Sequence, residues 1–335
     1  MPTIRDVARR AGVAPITVSR VINNTGYISD DTRQRVEMAI AELHYLPNTL
    51  SRSLRFKKTN MIALVVSDIT NPFWTTLTRG VEDASSEEDF NVILCNTDEK
   101  PEKQHNYVKL LLQRQTDGIL LVPADNTTEL VEMIQKQNVP VVIVDRPLPN
   151  TQVDVVHSDS TGGAYRLTHH LIDQGHRRIA LLAVRPEIAT SLERAAGYRR
   201  ALQAHHIPVD ETLIYFGSYN QPSGYKMAMT VFQEHQPPPT AIFAGNNFIA
   251  LGVLQAVYEM GLRVPEDISV VGFDDLPYSL PRPFLTVVAQ SPYQLGVQAA
   301  RLLLDRITGR YQGIPREVTL PVELIVRDSC RKIVE

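Results

Sequence analysis

Apolar positions in the first forty-five residues recur at helical spacing. Ile4, Val7, Ala8 and Ala11 stand at i, i+3, i+4 and i+7, one face of a helix that Thr3 can cap. Gly12 and Val13 then supply a tight turn, glycine serving where a chain leaves a helix with positive φ. Val18, Val21 and Ile22 give a second short helix one apolar face to pack on the first. Val36, Ala39, Ile40 and Leu43 do the same for a third, which opens on Ser29 and the acidic pair Asp30–Asp31. The pattern predicts a three-helix unit with a helix-turn-helix at its front. With the inward residues of the second helix removed, Pro15, Ile16, Thr17, Ser19, Arg20 and Asn23 remain outside. An apolar Ile16 at the exposed front of a helix asks for a partner.

Past residue 60 the period changes. Short, nearly continuous apolar runs alternate with helical stretches: MIALVVS (61–67), NVILCN (91–96), GILLV (118–122) and VPVVIVD (139–145). After DVVHSD (154–159) come RIALLAV (178–184), LIYFG (213–217), AIFAG (241–245) and ISVVGFD (268–274). Such strands, separated by helices, read as parallel sheets covered on both faces. Two series predict two Rossmann-like subdomains, with ligands bound outside the carboxyl ends of the strands, in the crevice between the halves.

Composition sharpens this picture in two places. The net charge of −3 conceals an asymmetry: residues 1–58 hold ten Lys/Arg against five Asp/Glu, and the remainder twenty-four against thirty-two. A basic head on an acidic body suits a nucleic-acid module joined to something else. Two distant cysteines, Cys95 and Cys330, no apolar run of membrane length and no signal-like block in the first twenty residues point to a reduced, cytoplasmic chain.

Candidate chemistry follows from placement. In a DNA major groove Pro15 and Ile16 can rest on thymine methyls, Arg20 can reach guanine O6 and N7, and Thr17 and Ser19 can bond phosphates. In the body the strand-end residues matter: Asp68 with NPFW (71–74), Asp145–Arg146, TSLERAAGY (190–198), Asn246–Asn247 and Asp274–Asp275. Carboxylates, carboxamides and arginines facing aromatic rings suit a polyhydroxylated ligand. Asn247 and Asp275 read as caps of the helices that follow them.

TIRDVARRAGVAPITVSRVIN (3–23) resembles the DNA-binding head of the lactose/galactose-repressor (LacI/GalR) family of bacterial transcription regulators, and ELHYLPNTLSRSLR (42–55) resembles its hinge. The likeness continues through DITNPFW, VDRP, NNFIALGVL and VGFDDLPYSLPRPFLTVVAQ. It implies an all-α helix-turn-helix domain plus an α/β periplasmic-binding-protein-like core of two Rossmann-like subdomains. The expected parts are the head at 1–46, a hinge and linker at 47–60, and an effector-binding and dimerisation core at 61–335 crossed near 160 and 290. The resemblance assigns base readout to Pro15, Ile16 and Arg20, and a minor-groove wedge to Leu54, with Arg55 beside the phosphates; Thr3, Thr17, Ser19 and Asn23 complete the DNA-facing set. Seven residues cannot hold a hinge helix alone in water, so two hinges pairing over the operator centre imply a homodimer. On matching positions the effector contacts are Phe73, Trp74, Asp145, Arg194, Tyr219, Asn246, Asp274 and Gln290; Arg146 and Thr190 stand with them. Two departures are visible: Ala14 where serine is usual, a poor cap partly offset by Pro15, and Asn247 where aspartate is usual.

Several signals lead elsewhere and are set aside. His169–His170 and His205–His206 are adjacent pairs whose members point apart, so neither pair holds a metal without further ligands. No phosphate loop, dinucleotide fingerprint or zinc-protease motif occurs, and no nucleophile–base spacing is recognisable. The expectation is a ligand-switched repressor, not an enzyme, that binds double-stranded operator DNA and a sugar-like effector as a homodimer, without cofactor, metal or membrane. A heptad tail is missing before Glu335, which favours a dimer over a tetramer. The body alone would also fit a sugar-binding transport receptor.

Overall fold

In the computed structural model, which describes residues 2–46, 58–275 and 284–333, the chain divides into two compact units, Met1–Thr59 and Asn60–Glu335. The first holds α1 (Ile4–Ala11), α2 (Pro15–Ile22) and α3 (Asp30–Glu42). Val7, Val18 and Val36, all fully buried, form its centre with Ala8, Ala11, Val21, Ala39 and Tyr45 around them. Thr3 closes the front of α1 in a reciprocal capping box with Asp6. Gly12 ends that helix at φ 65°, where a side chain would be strained. Arg10 and Glu42, 2.7 Å apart, tie α1 to α3. At α3 the cap differs from expectation: the Ser29 hydroxyl meets Thr32 Oγ1 at 3.0 Å instead of a backbone amide.

Among the described residues the second unit contains two six-stranded sheets. One is built from β1 (Met61–Val66), β2 (Asn91–Asn96), β3 (Gly118–Leu121), β4 (Val141–Val144) and β5 (Asp154–Ser158), completed by a late strand, β11 (Glu317–Leu320). The other is built from β6 (Ile179–Val184), β7 (Ile214–Gly217), β8 (Ala241–Ala244), β9 (Ser269–Phe273) and β10 (Thr286–Ala289), completed by β12 (Glu323–Ile325). Their orders, β11-β5-β4-β3-β1-β2 and β12-β10-β9-β8-β6-β7, repeat one doubly wound plan. Among the described residues every pairing is parallel except β10 with β12. All nine apolar runs contain a strand; β10, β11 and β12 are additional.

Helices cover both faces: α4 (Pro72–Ser86), α5 (Pro101–Gln113), α6 (Glu129–Lys136) and α11 (Pro292–Thr308) in the first lobe. The second lobe has α7 (Ser160–Asp173), α8 (Ala189–Ala204), α9 (Gln221–Glu234) and α10 (Asn247–Glu259). The chain therefore changes lobe after β5 and after β10, and a third time between β11 and β12, a crossing the sequence reading does not include. α11 returns to pack on α4 so closely that a Cβ on Gly80 or Gly296 would run into the Tyr293 or Leu77 carbonyl. Asp154, its side chain fully buried, accepts from Arg306 (2.6 and 3.0 Å) and Arg316 (2.9 Å), which locks α11 and β11 to β5. His176, wholly buried, ties the tail back through Thr240 Oγ1 (2.8 Å) and the Arg331 carbonyl (3.2 Å). Among the described residues no helix is long and apolar enough to cross a membrane.

Candidate functional site

On α2 the burial splits as the periodicity demands. Val18 and Val21 face the core, whereas Pro15 and Arg20 are exposed and Ile16 keeps 61% of its surface open. Ala14 precedes α2 in extended conformation with no side-chain cap, and Pro15 starts the helix where a missing N–H costs nothing. Thr17 and Ser19 are half-buried. Asn23 is occupied at the far end, donating to the Ser19 carbonyl at 2.7 Å. Thr3 is likewise engaged, within its capping box. Leu54 and Arg55 lie outside the described residues.

In the second unit a cavity of about 420 Å³ opens between the lobes at the carboxyl ends of both sheets. All ten residues expected at a ligand site line it: Phe73, Trp74, Asp145, Arg146, Thr190, Arg194, Tyr219, Asn246, Asp274 and Gln290. Asp145 and Asp274 are equivalents, each the first residue beyond the fourth strand of its sheet. Each has φ 69°, and each donates its N–H at 2.8 Å to the neighbouring strand, at Val156 and Val288. Left-handed non-glycine backbone held in this way twice aims two carboxylates into one space. Burial pushes both carboxyls above the usual range, against the pull of nearby arginines.

The remaining polar groups are oriented in pairs. Glu99 accepts from both terminal nitrogens of Arg146 at 2.7 Å, and the Pro123 carbonyl takes a third bond at 3.0 Å. The Arg146 guanidinium lies between two rings, 5.8 Å from Trp74 and 5.0 Å from Tyr219. Burial works to raise the Glu99 pKa, but the Arg146 charge and hydrogen bonds outweigh it and hold the carboxyl below its ordinary value. The Arg194 guanidinium carbon lies over the Phe273 ring, 3.8 Å from its centre, and Arg194 donates to the Gly245 carbonyl at 2.6 Å; Gln290 donates to Asp274 at 2.6 Å; Thr190 and Tyr219 share a 2.8 Å bond. Arg194 Nε and Gln290 Oε1 are buried without a partner among the described residues, groups that a ligand can satisfy. Phe73 meets Trp74 edge to face at 4.8 Å, forming an apolar wall.

One capping assignment is corrected. Asn246, not Asn247, caps α10, accepting from the Ile249 amide at 2.8 Å. Asn247 instead exchanges two 2.9 Å hydrogen bonds with Asn71, which caps α4, so a buried carboxamide pair joins the lobes. Asp275 forms a two-pronged ion pair with Arg327 (2.6 and 2.8 Å); the segment it is expected to cap lies outside the described residues. Sequence reasoning also passed over Asp98, Glu99 and Arg185, which line the cavity. Asp98 and Glu99 follow β2, so the strand-end rule applied to that strand would have found them.

The comparisons with known proteins agree with this layout. The model of bacterial regulatory proteins of the lacI family matches residues 3–48, and that of periplasmic binding proteins and the sugar binding domain of the LacI family matches 59–328. The HTH-type transcriptional repressor PurR of Vibrio vulnificus (strain CMCP6) is 37% identical over 335 residues, 99% of this chain and 100% of that one. Among solved structures, the Lac repressor dimer bound to operator and the anti-inducer ONPF superposes with a TM-score of 0.85 at 30% identity, over 98% of this chain and 99% of that chain. The complex of the transcriptional regulator CelR with cellobiose gives 0.75 at 36% identity, over 98% and 100%.

Proposed function

The chain belongs to the LacI family of bacterial regulatory proteins, and from that premise we propose how this DNA-binding transcriptional regulator works. It acts as a repressor: a homodimer sets two α2 helices in successive major grooves of a near-palindromic operator, with Pro15, Ile16 and Arg20 at base edges and Thr17 and Ser19 on phosphates. Leu54 and Arg55 serve at the operator centre. A sugar or sugar derivative enters the interlobe cavity, where Asp145, Asp274, Asn246, Arg194 and Gln290 bond hydroxyls and Phe73, Trp74 and Tyr219 cover C–H faces. Arg146, its terminal nitrogens held by Glu99 and the Pro123 carbonyl, shapes the floor and keeps its buried Nε for the ligand. By binding two lobe arrangements unequally, the ligand shifts the population competent for DNA. No catalytic step is assigned to the cavity carboxylates, and the protein works in the cytoplasm, beside its operator.

The observation that carries this reading is the divided face of α2, anchored by Val18 and Val21 and open at Ile16 and Arg20 within a basic unit. A transport receptor has no use for that face. Duplexes selected from a random pool by the full-length protein should converge on a near-palindrome, and affinity for it should fall steeply with salt as counterions are released. A panel of sugars, phosphorylated sugars and nucleosides, read by emission of Trp74, the one tryptophan, identifies the effector. Equal grip on random and selected duplexes, whatever ligand is added, would refute the proposal.

A further inference from the structure

The histidine pairs that sequence leaves unconnected meet in the second lobe. α7 and α8 pack side by side and run parallel: Gly197 abuts the Thr161 carbonyl, and eight residues further along each helix His205 meets His169. Asp173 is the last residue of α7, and His205 is the residue that ends α8. His169 Nδ1 lies 2.9 Å from Asp173 Oδ2, and the His169 and His205 rings stand edge to face at 4.7 Å. One ligand atom from each of the three residues falls within 4.8 Å of the others. None of the three lines the interlobe cavity.

We propose that His169, Asp173 and His205 form a binding site for a divalent transition-metal ion of the zinc class, completed by water. Two imidazoles and a carboxylate are the donor set of zinc, nickel or copper rather than of magnesium or calcium. Metal–ligand bonds near 2.1 Å place tetrahedral donors about 3.4 Å apart. The His169–Asp173 pair, now at 2.9 Å, opens by about 0.5 Å and the wider separations, up to 4.8 Å, close by up to about 1.4 Å, a small rotamer adjustment at partly exposed positions. The backbone favours the same charge. Both helices end here, and their last carbonyls present the negative ends of two aligned dipoles to one point. His169 and Asp173, four apart, share a helix face, which leaves His205 as the donor that the tertiary packing contributes. The ion would pin α7 to α8 at the end opposite Thr190 and Arg194, and so stabilise the folded lobe by mass action.

The test uses untagged full-length protein stripped with EDTA, then titrated with Zn²⁺ by calorimetry and with Co²⁺ by visible absorption. The expected result is one ion per chain, with Co²⁺ ligand-field bands. Affinity should fall at least tenfold in H169Q and in H205Q. It should be unchanged in H206N, which keeps a residue tolerant of the left-handed backbone at φ 57°. Circular dichroism in EDTA verifies that each variant folds. The proposal is overturned if the wild-type chain takes up no stoichiometric ion, if H169Q and H205Q bind as it does, or if H206N loses as much. In those cases His169–Asp173 is an ordinary helix-surface pair.

Discussion

Replacing Glu99 with glutamine asks whether the floor of the cavity is held by charge. The Glu99 carboxylate offers one oxygen to each terminal nitrogen of Arg146, both at 2.7 Å, and the arginine side chain is only 4% exposed. Removing one partner of a buried pair costs about 3–5 kcal/mol, because the other charge stays buried. Glutamine retains one acceptor, and Asp145 Oδ2 lies 3.7 Å from Arg146 Nε as a second counter-charge. The expected loss is therefore at the lower end, about 3 kcal/mol. Equilibrium urea unfolding followed by Trp74 emission reads it locally, since that ring lies 5.8 Å from the guanidinium. D98N, at the exposed carboxylate next in sequence, should leave the midpoint nearly unchanged. Because Arg146 depresses the Glu99 pKa, the pair's stabilisation is present above the ordinary value of 4.5 and lost as pH falls through the folded one. E99Q should therefore flatten the acid limb of the stability curve. An unchanged midpoint in E99Q, or losses in E99Q and R146Q that simply add in the double variant, would show that the two residues are not coupled.

Arg20→Ala should weaken binding to the selected duplex by about tenfold to a hundredfold, the worth of one bidentate base contact; anisotropy giving equal affinities would remove Arg20 from base readout. Asn247→Ala deletes both interlobe hydrogen bonds and strands the Asn71 amide. With about 2 kcal/mol of closure lost, ligand affinity by Trp74 titration should drop by about tenfold or more. Asn247→Asp, which still accepts from Asn71 and suits the start of α10, should retain most of it; equal affinity in all three proteins would exclude a role in closure. Burial depresses the His176 pKa from 6.5 to about 4, against the hydrogen bond to the Arg331 carbonyl. The folded state then resists protonation that the unfolded chain accepts, so stability should fall as pH drops from 6.5 toward 4. His176→Asn should lessen that fall in urea titrations across the window; an unaltered slope would mean the acid sensitivity lies elsewhere.

Periodicity alone determined much of this molecule. Val7, Val18 and Val36 could only be inward, and with them set Ile16 and Arg20 had to be outward, because 3.6 residues per turn leaves no other face. Nine strands were legible, most because a strand buried on both faces must be apolar throughout; β2, β5 and β7, partly exposed, were legible from shorter apolar stretches. Three were not: β11 and β12 are partly exposed and mixed, so they carry no such run, and in β10 the apolar stretch is only Val287–Ala289. Local sequence also suggested that Asn247 caps, since asparagine after a strand usually does. Which of two adjacent asparagines turns to its own helix, and which crosses to Asn71 some 176 positions away, was decided by where the lobes bring α4 and α10. The ten cavity residues were nameable one by one from strand ends and resemblance. The pairing of Glu99 with Arg146, the Trp74–Arg146–Tyr219 stack and the meeting of His169 with His205 were not, because helical and strand periods specify which way a side chain faces but not what stands opposite.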